Sequence, residues 1–97
     1  MTGTTRSSDG LSERQRKLLF RSWHRGIREM DLIMGGFADA SIVAMTDGEL
    51  DELERLLDVP DQEIYSWFTG EGAVPAQFDS ALFKRMREFS SRRGDTR

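Results

Sequence analysis

Residues 21–38, RSWHRGIREMDLIMGGFA, decide how this chain folds. In and around this segment, apolar side chains recur at steps of three and four, the spacing of one face of an amphipathic helix. They are Leu19 or Phe20, Trp23, Ile27, Met30, Ile33 or Met34, and Phe37. Gly26 interrupts the pattern, and an interior glycine costs roughly 1 kcal/mol relative to alanine and often marks a helix end. We therefore predict two helices that meet at Gly26.

The charges around this glycine form a second pattern. Arg21, Arg25 and Arg28 are spaced by four and three residues, so a near-helical backbone would place them on one face together with Glu29. An ion pair between Arg25 and Glu29 is the plain structural interpretation. The arginine comes first, however, which is the weaker order, and such pairs add only about 0.2–0.5 kcal/mol. The segment therefore indicates a requirement other than helix stability.

Length and composition exclude several classes of protein. The 97 residues suit one small domain, with no cysteine and a single histidine. Disulfides, thiolate metal sites and a thiol nucleophile are excluded, and no nucleophile elbow, phosphate loop or calcium loop occurs. We predict a non-enzyme with no catalytic and no metal-binding residues. No apolar run approaches the roughly 18–20 residues of a membrane span, and we expect a soluble protein of the bacterial cytoplasm without membrane insertion.

Charge is segregated along the chain, although the net charge is only −3. Residues 1–30 carry seven basic and three acidic side chains, residues 31–80 one and twelve, and residues 81–97 six and two. This order suits terminal helices that pack beside an acidic middle. With a pI of about 5.1, nucleic-acid binding is disfavoured, because it needs a basic footprint.

Every periodic stretch is helical, so we predict an all-α fold, a compact five-helix bundle. The helices are expected at about 12–24, 27–44, 47–58, 61–69 and 76–90. They form a helical domain over residues 11–90, between a disordered N-terminal tail at 1–10 and a basic C-terminal tail at 91–97.

Local signals set several of these boundaries. Thr46 and Glu49 have the form of a capping box, which begins the third helix. Pro60 favours the start of the fourth helix, Gly70 its end, and Pro75 the start of the fifth. The expected inward side chains of these three helices are Leu50, Leu53, Leu56, Leu57, Ile64, Trp67, Phe68, Phe78, Leu82, Met86 and Phe89.

Two further features bear on packing and recognition. Gly35 and Gly36 lie inside the second helix and are costly there unless a neighbouring helix or a partner approaches closely. Most aromatic side chains are best explained as core. Tyr65 is the one most expected to be partly exposed, because it lies one step off the line from Ile64 to Phe68.

Three segments carry a family resemblance. Residues 21–38 resemble the signature of the succinate dehydrogenase assembly factor 2 family, the small flavinylation factors of bacteria and mitochondria, whose R-G-x-x-E motif matches Arg25, Gly26 and Glu29. Residues 50–57 resemble its E-L-x-x-x-x-x-L-L segment, and residues 65–70 its Y-x-W-L-x-G segment. Order and spacing agree over roughly residues 12–89. Two positions differ mildly from the family's pattern. His24 stands where a second arginine is common, and Phe68 replaces the usual leucine.

The resemblance implies a five-helix assembly factor that binds the flavoprotein subunit of succinate dehydrogenase, and in bacteria often also that of fumarate reductase. It promotes covalent attachment of FAD to that subunit, holds no cofactor stably itself, and is expected to be monomeric when free. The motif residues then belong to the contact surface. The predicted partner-binding residues are Arg21, Arg25, Gly26, Arg28, Glu29, Asp31, Tyr65 and Trp67.

Two alternatives stay open at this point. The chain could be a general interaction protein, antitoxin-like or regulatory, that acts on a membrane or cytoskeletal partner. Pull-down from cell extract separates the two hypotheses, because recovery of other proteins without the flavoprotein subunit would refute the assembly-factor hypothesis. A helix-turn-helix DNA binder would show a salt-sensitive affinity for duplex DNA.

Overall fold

The structure is a computed structural model that describes residues 10–95, with side chains as far as residue 92. The described residues form five α-helices and no strand, as predicted. The helices are α1 (Glu13–Trp23), α2 (Arg28–Ser41), α3 (Asp47–Leu57), α4 (Asp61–Thr69) and α5 (Ala81–Asp95). Short 3₁₀ turns lie at Ile42–Ala44 and Ala76–Phe78. All but one residue of the predicted N-terminal tail lie outside the described residues.

Reciprocal capping boxes define where α1 and α3 begin. The Ser12 hydroxyl accepts from the Gln15 backbone N–H at 3.0 Å, while the Gln15 side chain accepts from Ser12 N–H at 2.7 Å. Thr46 and Glu49 make the same reciprocal pair at 3.1 and 3.0 Å, which confirms the predicted capping box. These bonds satisfy N–H groups that have no partner within the helix.

The predicted start of the last helix is wrong. Residues 76–78 form a separate 3₁₀ turn after Pro75, and α5 begins only at Ala81. The Ser80 hydroxyl accepts from the Phe83 N–H at 3.1 Å, so Ser80 caps the helix. Leu82 and Met86 of α5 are buried as predicted, and Phe83 is buried as well, while Phe78 and Phe89 are only partly buried. At its other end α5 continues to Asp95, past the predicted end at residue 90.

One hydrophobic core joins all five helices. Helix α2 lies against α1 and α5, and α3 contacts both of these as well. The predicted leucines of α3 are all buried, as are Ile64 and Trp67 of α4. Within residues 10–92, the apolar side chains with no exposed surface are Met30, Met34, Ala38, Ile42, Leu53, Ile64, Phe83 and Met86.

Close helix packing explains the paired glycines of α2. A Cβ at Gly35 would lie 2.5 Å from Cε3 and 2.8 Å from Cε2 of Trp23, which belongs to α1. A Cβ at Gly36 would lie 3.1 Å from Cε2 of Phe89 in α5. Of the two explanations that the sequence left open for these glycines, a neighbouring helix or a partner, the neighbouring helices account for both.

Basic side chains of the terminal helices form ion pairs with the acidic middle of the chain, as the sequence suggested. Arg14 of α1 pairs with Asp51 and Glu54 of α3, Arg21 pairs with Asp58, and Arg85 of α5 pairs with Glu49. The Thr46 N–H, and then Arg85, hold the pKa of Glu49 below its ordinary value. These bridges are largely exposed, so each contributes at most about 1 kcal/mol. They orient the basic α1 and α5 beside the acidic α3.

Candidate functional site

The junction between α1 and α2 is a tight, non-helical turn. Helix α1 ends at Trp23, Gly26 takes φ +98°, and Ile27 is extended as the N-cap of α2. A Cβ at Gly26 would meet no atom within 4 Å, so the backbone angle, and not space, requires the glycine. The Asp31 carboxylate of α2 accepts from the Arg25 backbone N–H at 2.6 Å and holds the turn. The predicted helix break at Gly26 is confirmed.

Arg25 fastens this turn to the connection between α3 and α4. Its Nη1 donates to the Leu57 carbonyl at 2.7 Å, its Nη2 to the Val59 carbonyl at 2.6 Å, and its Nε to Asp61 at 2.7 Å. The side chain is only 7% exposed. Because α3 ends at Leu57, the guanidinium also satisfies a carbonyl that the helix leaves without a partner.

This geometry corrects the expectation for the charged face. The turn at Gly26 breaks the helical spacing, so Arg25 points inward to Asp61 and makes no ion pair with Glu29. Arg21 stays near the surface and pairs with Asp58 at 2.9 Å. Arg28 and Glu29 are exposed at the start of α2. Arg25 therefore positions the surface around it and offers little of its own charge to a partner.

Two exposed apolar side chains flank the turn. Ile27 is 43% exposed and Tyr65 of α4 is 39% exposed, as predicted for the tyrosine. Together with Glu29, Asp61 and Gln62 they line a concavity of about 310 Å³. We call Ile27, Glu29, Gln62 and Tyr65 the junction face.

Trp67 was predicted to bind a partner and does not lie on the surface. It is buried, with its ring 5.3 Å from Phe78 and 6.0 Å from Phe83 between centroids. On the short helix α4, Ile64 and Trp67 lie three residues apart and both turn to the core, which leaves Tyr65 outside. Trp67 is thus a packing residue. The same holds in part for Asp31, whose carboxylate is engaged by the turn.

Sequence reasoning missed Asp61, Ile27 and Gln62. Asp61 lies 36 residues from its partner Arg25, and no local pattern joins them. The available signals were an arginine beside the glycine turn and a carboxylate directly after Pro60, and neither identifies the other as its partner. Ile27 was assigned to the buried face because its spacing fits the helical line, but the line ends at Gly26.

The side chains around the turn are a mixture of apolar and charged groups. Among residues 10–92, no three histidine or carboxylate side chains cluster as a metal site would require. The described helices include none that is long and apolar enough to cross a membrane. What the site offers is a rigid turn, an apolar pair and an exposed carboxylate.

Comparison with known proteins identifies the family. The family model described as the flavinator of succinate dehydrogenase matches residues 16–90. The FAD assembly factor SdhE of Acetobacter pasteurianus is 39% identical over 89 residues, which cover 91% of this chain and 82% of that protein. None of the solved structures matches the chain significantly.

Mitochondrial proteins are similar as well. The succinate dehydrogenase assembly factor 2 of Candida glabrata is 35% identical over 88% of this chain, and that of Dictyostelium discoideum 34% identical over 76%. The matched regions span 58% and 52% of those two proteins. Since the family model covers most of the chain and the bacterial relative is matched over most of its own length, this protein belongs to the succinate dehydrogenase flavinator family.

Proposed function

We propose that this protein is an assembly factor that binds the flavoprotein subunit of succinate dehydrogenase and promotes covalent attachment of its FAD. Family membership supports the class of client, and the names of the relatives refer to FAD and to succinate dehydrogenase assembly. The junction face carries the proposal in the structure: two exposed apolar side chains and a carboxylate beside a turn held by a buried arginine.

The mechanism we propose is selection of a conformation. The protein contributes binding and no reacting group, and the flavin bond forms by chemistry of the flavoprotein itself. A factor that binds the reactive arrangement of its client more tightly than the others raises the population of that arrangement. The increase in the population of the reactive arrangement is limited by how much more tightly the factor binds that arrangement than the others. The contact surface must therefore be well defined.

The hydrogen bonds of Arg25 keep this contact surface in one conformation. Because the turn is fixed by Asp31, Asp61 and two carbonyls, Ile27 and Tyr65 hold their relative positions before a partner arrives. Less conformational entropy is then lost on binding. In this proposal Ile27 and Tyr65 provide apolar contact, Glu29 accepts hydrogen bonds from the client, and Arg28 is available for a carboxylate or carbonyl.

Co-expression with the flavoprotein subunit tests the proposal, with covalent flavin fluorescence read on a denaturing gel. We expect the wild-type chain to raise the flavin yield above that of the subunit alone, and Tyr65→Ala and Glu29→Gln each to lower it several-fold. Val43→Ala is the matched control, since Val43 is 56% exposed and does not line the concavities around Phe20 and Tyr65. A flavin yield that is the same with and without the wild-type chain would refute the proposal, as would equal yields for Tyr65→Ala and Val43→Ala.

A further inference from the structure

Phe20 has the most exposed large apolar side chain within residues 10–92, at 63%, and the junction face does not include it. Its ring stacks on His24, with centroids 3.9 Å apart and planes 20° from parallel. His24 Nδ1 donates to the Phe20 carbonyl at 2.7 Å, because a carbonyl oxygen can only accept. The stack and the hydrogen bond hold both rings against the end of α1. An ordered, exposed aromatic ring loses little entropy when it is covered.

The surroundings of Phe20 connect it to the junction face. Phe20 and His24 line a second concavity of about 310 Å³ between the end of α1 and the α3–α4 connection. Arg25 and Asp61 line it too, and Asp61 also lines the concavity under Ile27 and Tyr65. The two concavities therefore adjoin at the ion pair that fixes the turn. Within residues 10–92, three of the four exposed large apolar side chains lie around this ion pair.

The charge beside Phe20 is positive in a protein of net charge −3. Arg16, Lys17 and Arg21 line a further concavity with Phe20, against one carboxylate, Glu13. Lys17 pairs weakly with Glu13 at 3.4 Å, and Arg21 pairs with Asp58. Arg16 donates to the Leu11 carbonyl and has no carboxylate partner within the described part of the chain. The balance favours an acidic partner surface.

We infer that Phe20, with Arg16 and Lys17, forms a second contact region that binds an acidic segment of the flavoprotein subunit carrying an apolar side chain. The apolar side chain covers the Phe20 ring beside His24, and the carboxylates lie near Arg16 and Lys17. This inference rests on the proposed function, because it assigns a second region to the same client. Two regions that meet at Asp61 would fix the orientation of the client as well as its affinity.

The test measures the affinity of the full chain for the purified flavoprotein subunit at low and high salt. We expect Phe20→Ala to weaken binding about tenfold at both salt concentrations, as for an aromatic residue at the centre of a contact. We expect Lys17→Glu to weaken binding about fivefold at low salt and less at high salt, because salt screens exposed charges. The matched controls are Val43→Ala and Lys84→Glu, expected to change affinity less than twofold. Thermal melts of all four variants check that they are folded.

The outcomes separate the two proposals. If Tyr65→Ala weakens binding while Phe20→Ala and Lys17→Glu behave like their controls, the second region is refuted and the junction face stands. If Phe20→Ala weakens binding but Lys17→Glu acts like Lys84→Glu, the acidic character of the segment is refuted. If the wild-type chain does not bind the subunit at all, both proposals fall.

Discussion

Gly26 and Gly35 lie nine residues apart in the same segment, and they are glycines for opposite reasons. Gly26 has open space where a Cβ would be, but its φ of +98° is one that side chains disfavour. Gly35 has ordinary helical backbone, but the space for its Cβ is filled by the Trp23 ring. One glycine shapes the exposed junction, and the other lets two helices pack. The difference shows that a glycine in a family motif can be needed for its backbone angle alone.

Gly35→Ala should have the largest effect on stability. The new methyl group would overlap several atoms of Trp23, a buried ring with little room to move. Overpacking costs typically 1–3 kcal/mol, against a gain of about 1 kcal/mol in helix propensity, and this overlap is severe. We expect a net loss of about 2 kcal/mol in the free energy of unfolding, measured by urea denaturation.

A double variant gives the control for this prediction. Trp23→Phe replaces the indole by a smaller ring and removes an N–H that has no hydrogen-bond partner among the described residues. Gly35→Ala should therefore be less harmful in the Trp23→Phe background than in the wild type. Additive losses would show that the clash is not the cause.

Gly26→Ala should follow, with a loss of about 1–2 kcal/mol, the cost of a left-handed conformation for an ordinary residue. Gly26→Asn should lose less than Gly26→Ala, since asparagine tolerates positive φ better. At Gly35 the order should reverse, because asparagine is the larger side chain. Urea denaturation of the four variants tests the comparison directly, and the same order at both sites would overturn it.

Gly36→Ala should have the smallest effect, within about 0.5 kcal/mol of the wild type. Its Cβ would lie 3.1 Å from the ring of Phe89, which is only partly buried and can shift. The gain in helix propensity of about 1 kcal/mol offsets the crowding. A loss as large as that of Gly35→Ala would mean that Phe89 is as constrained as Trp23.

The features that depend on neighbouring residues could be predicted from the sequence. Residues within one or two turns were enough to predict the break at Gly26, the close approach at Gly35 and Gly36, and the capping box at Thr46. The start of α5 was missed because Pro75 is a stronger conventional signal than Ser80, although the hydroxyl of Ser80 makes the cap. The class of fold and the family resemblance were both confirmed.

The candidate site was harder to predict, because tertiary contacts decide it. Spacing placed Arg25 on a surface with Arg28 and Glu29, whereas its hydrogen bonds run to residues 57–61. Spacing cannot show whether an arginine finds acceptors far along the chain. Exposure was equally hidden for Phe20, since either it or Leu19 fits the helical line and only Leu19 is buried.

The reach of Arg25 to Leu57 and Val59 has a consequence for the motion of the protein. If the turn moves away from α3, Arg25 loses its hydrogen bonds to the Leu57 and Val59 carbonyls and its ion pair with Asp61. Two segments more than 30 residues apart therefore open together, as a single unit of local unfolding. Amide hydrogen exchange at the turn and at the α3–α4 connection would then report the same opening free energy.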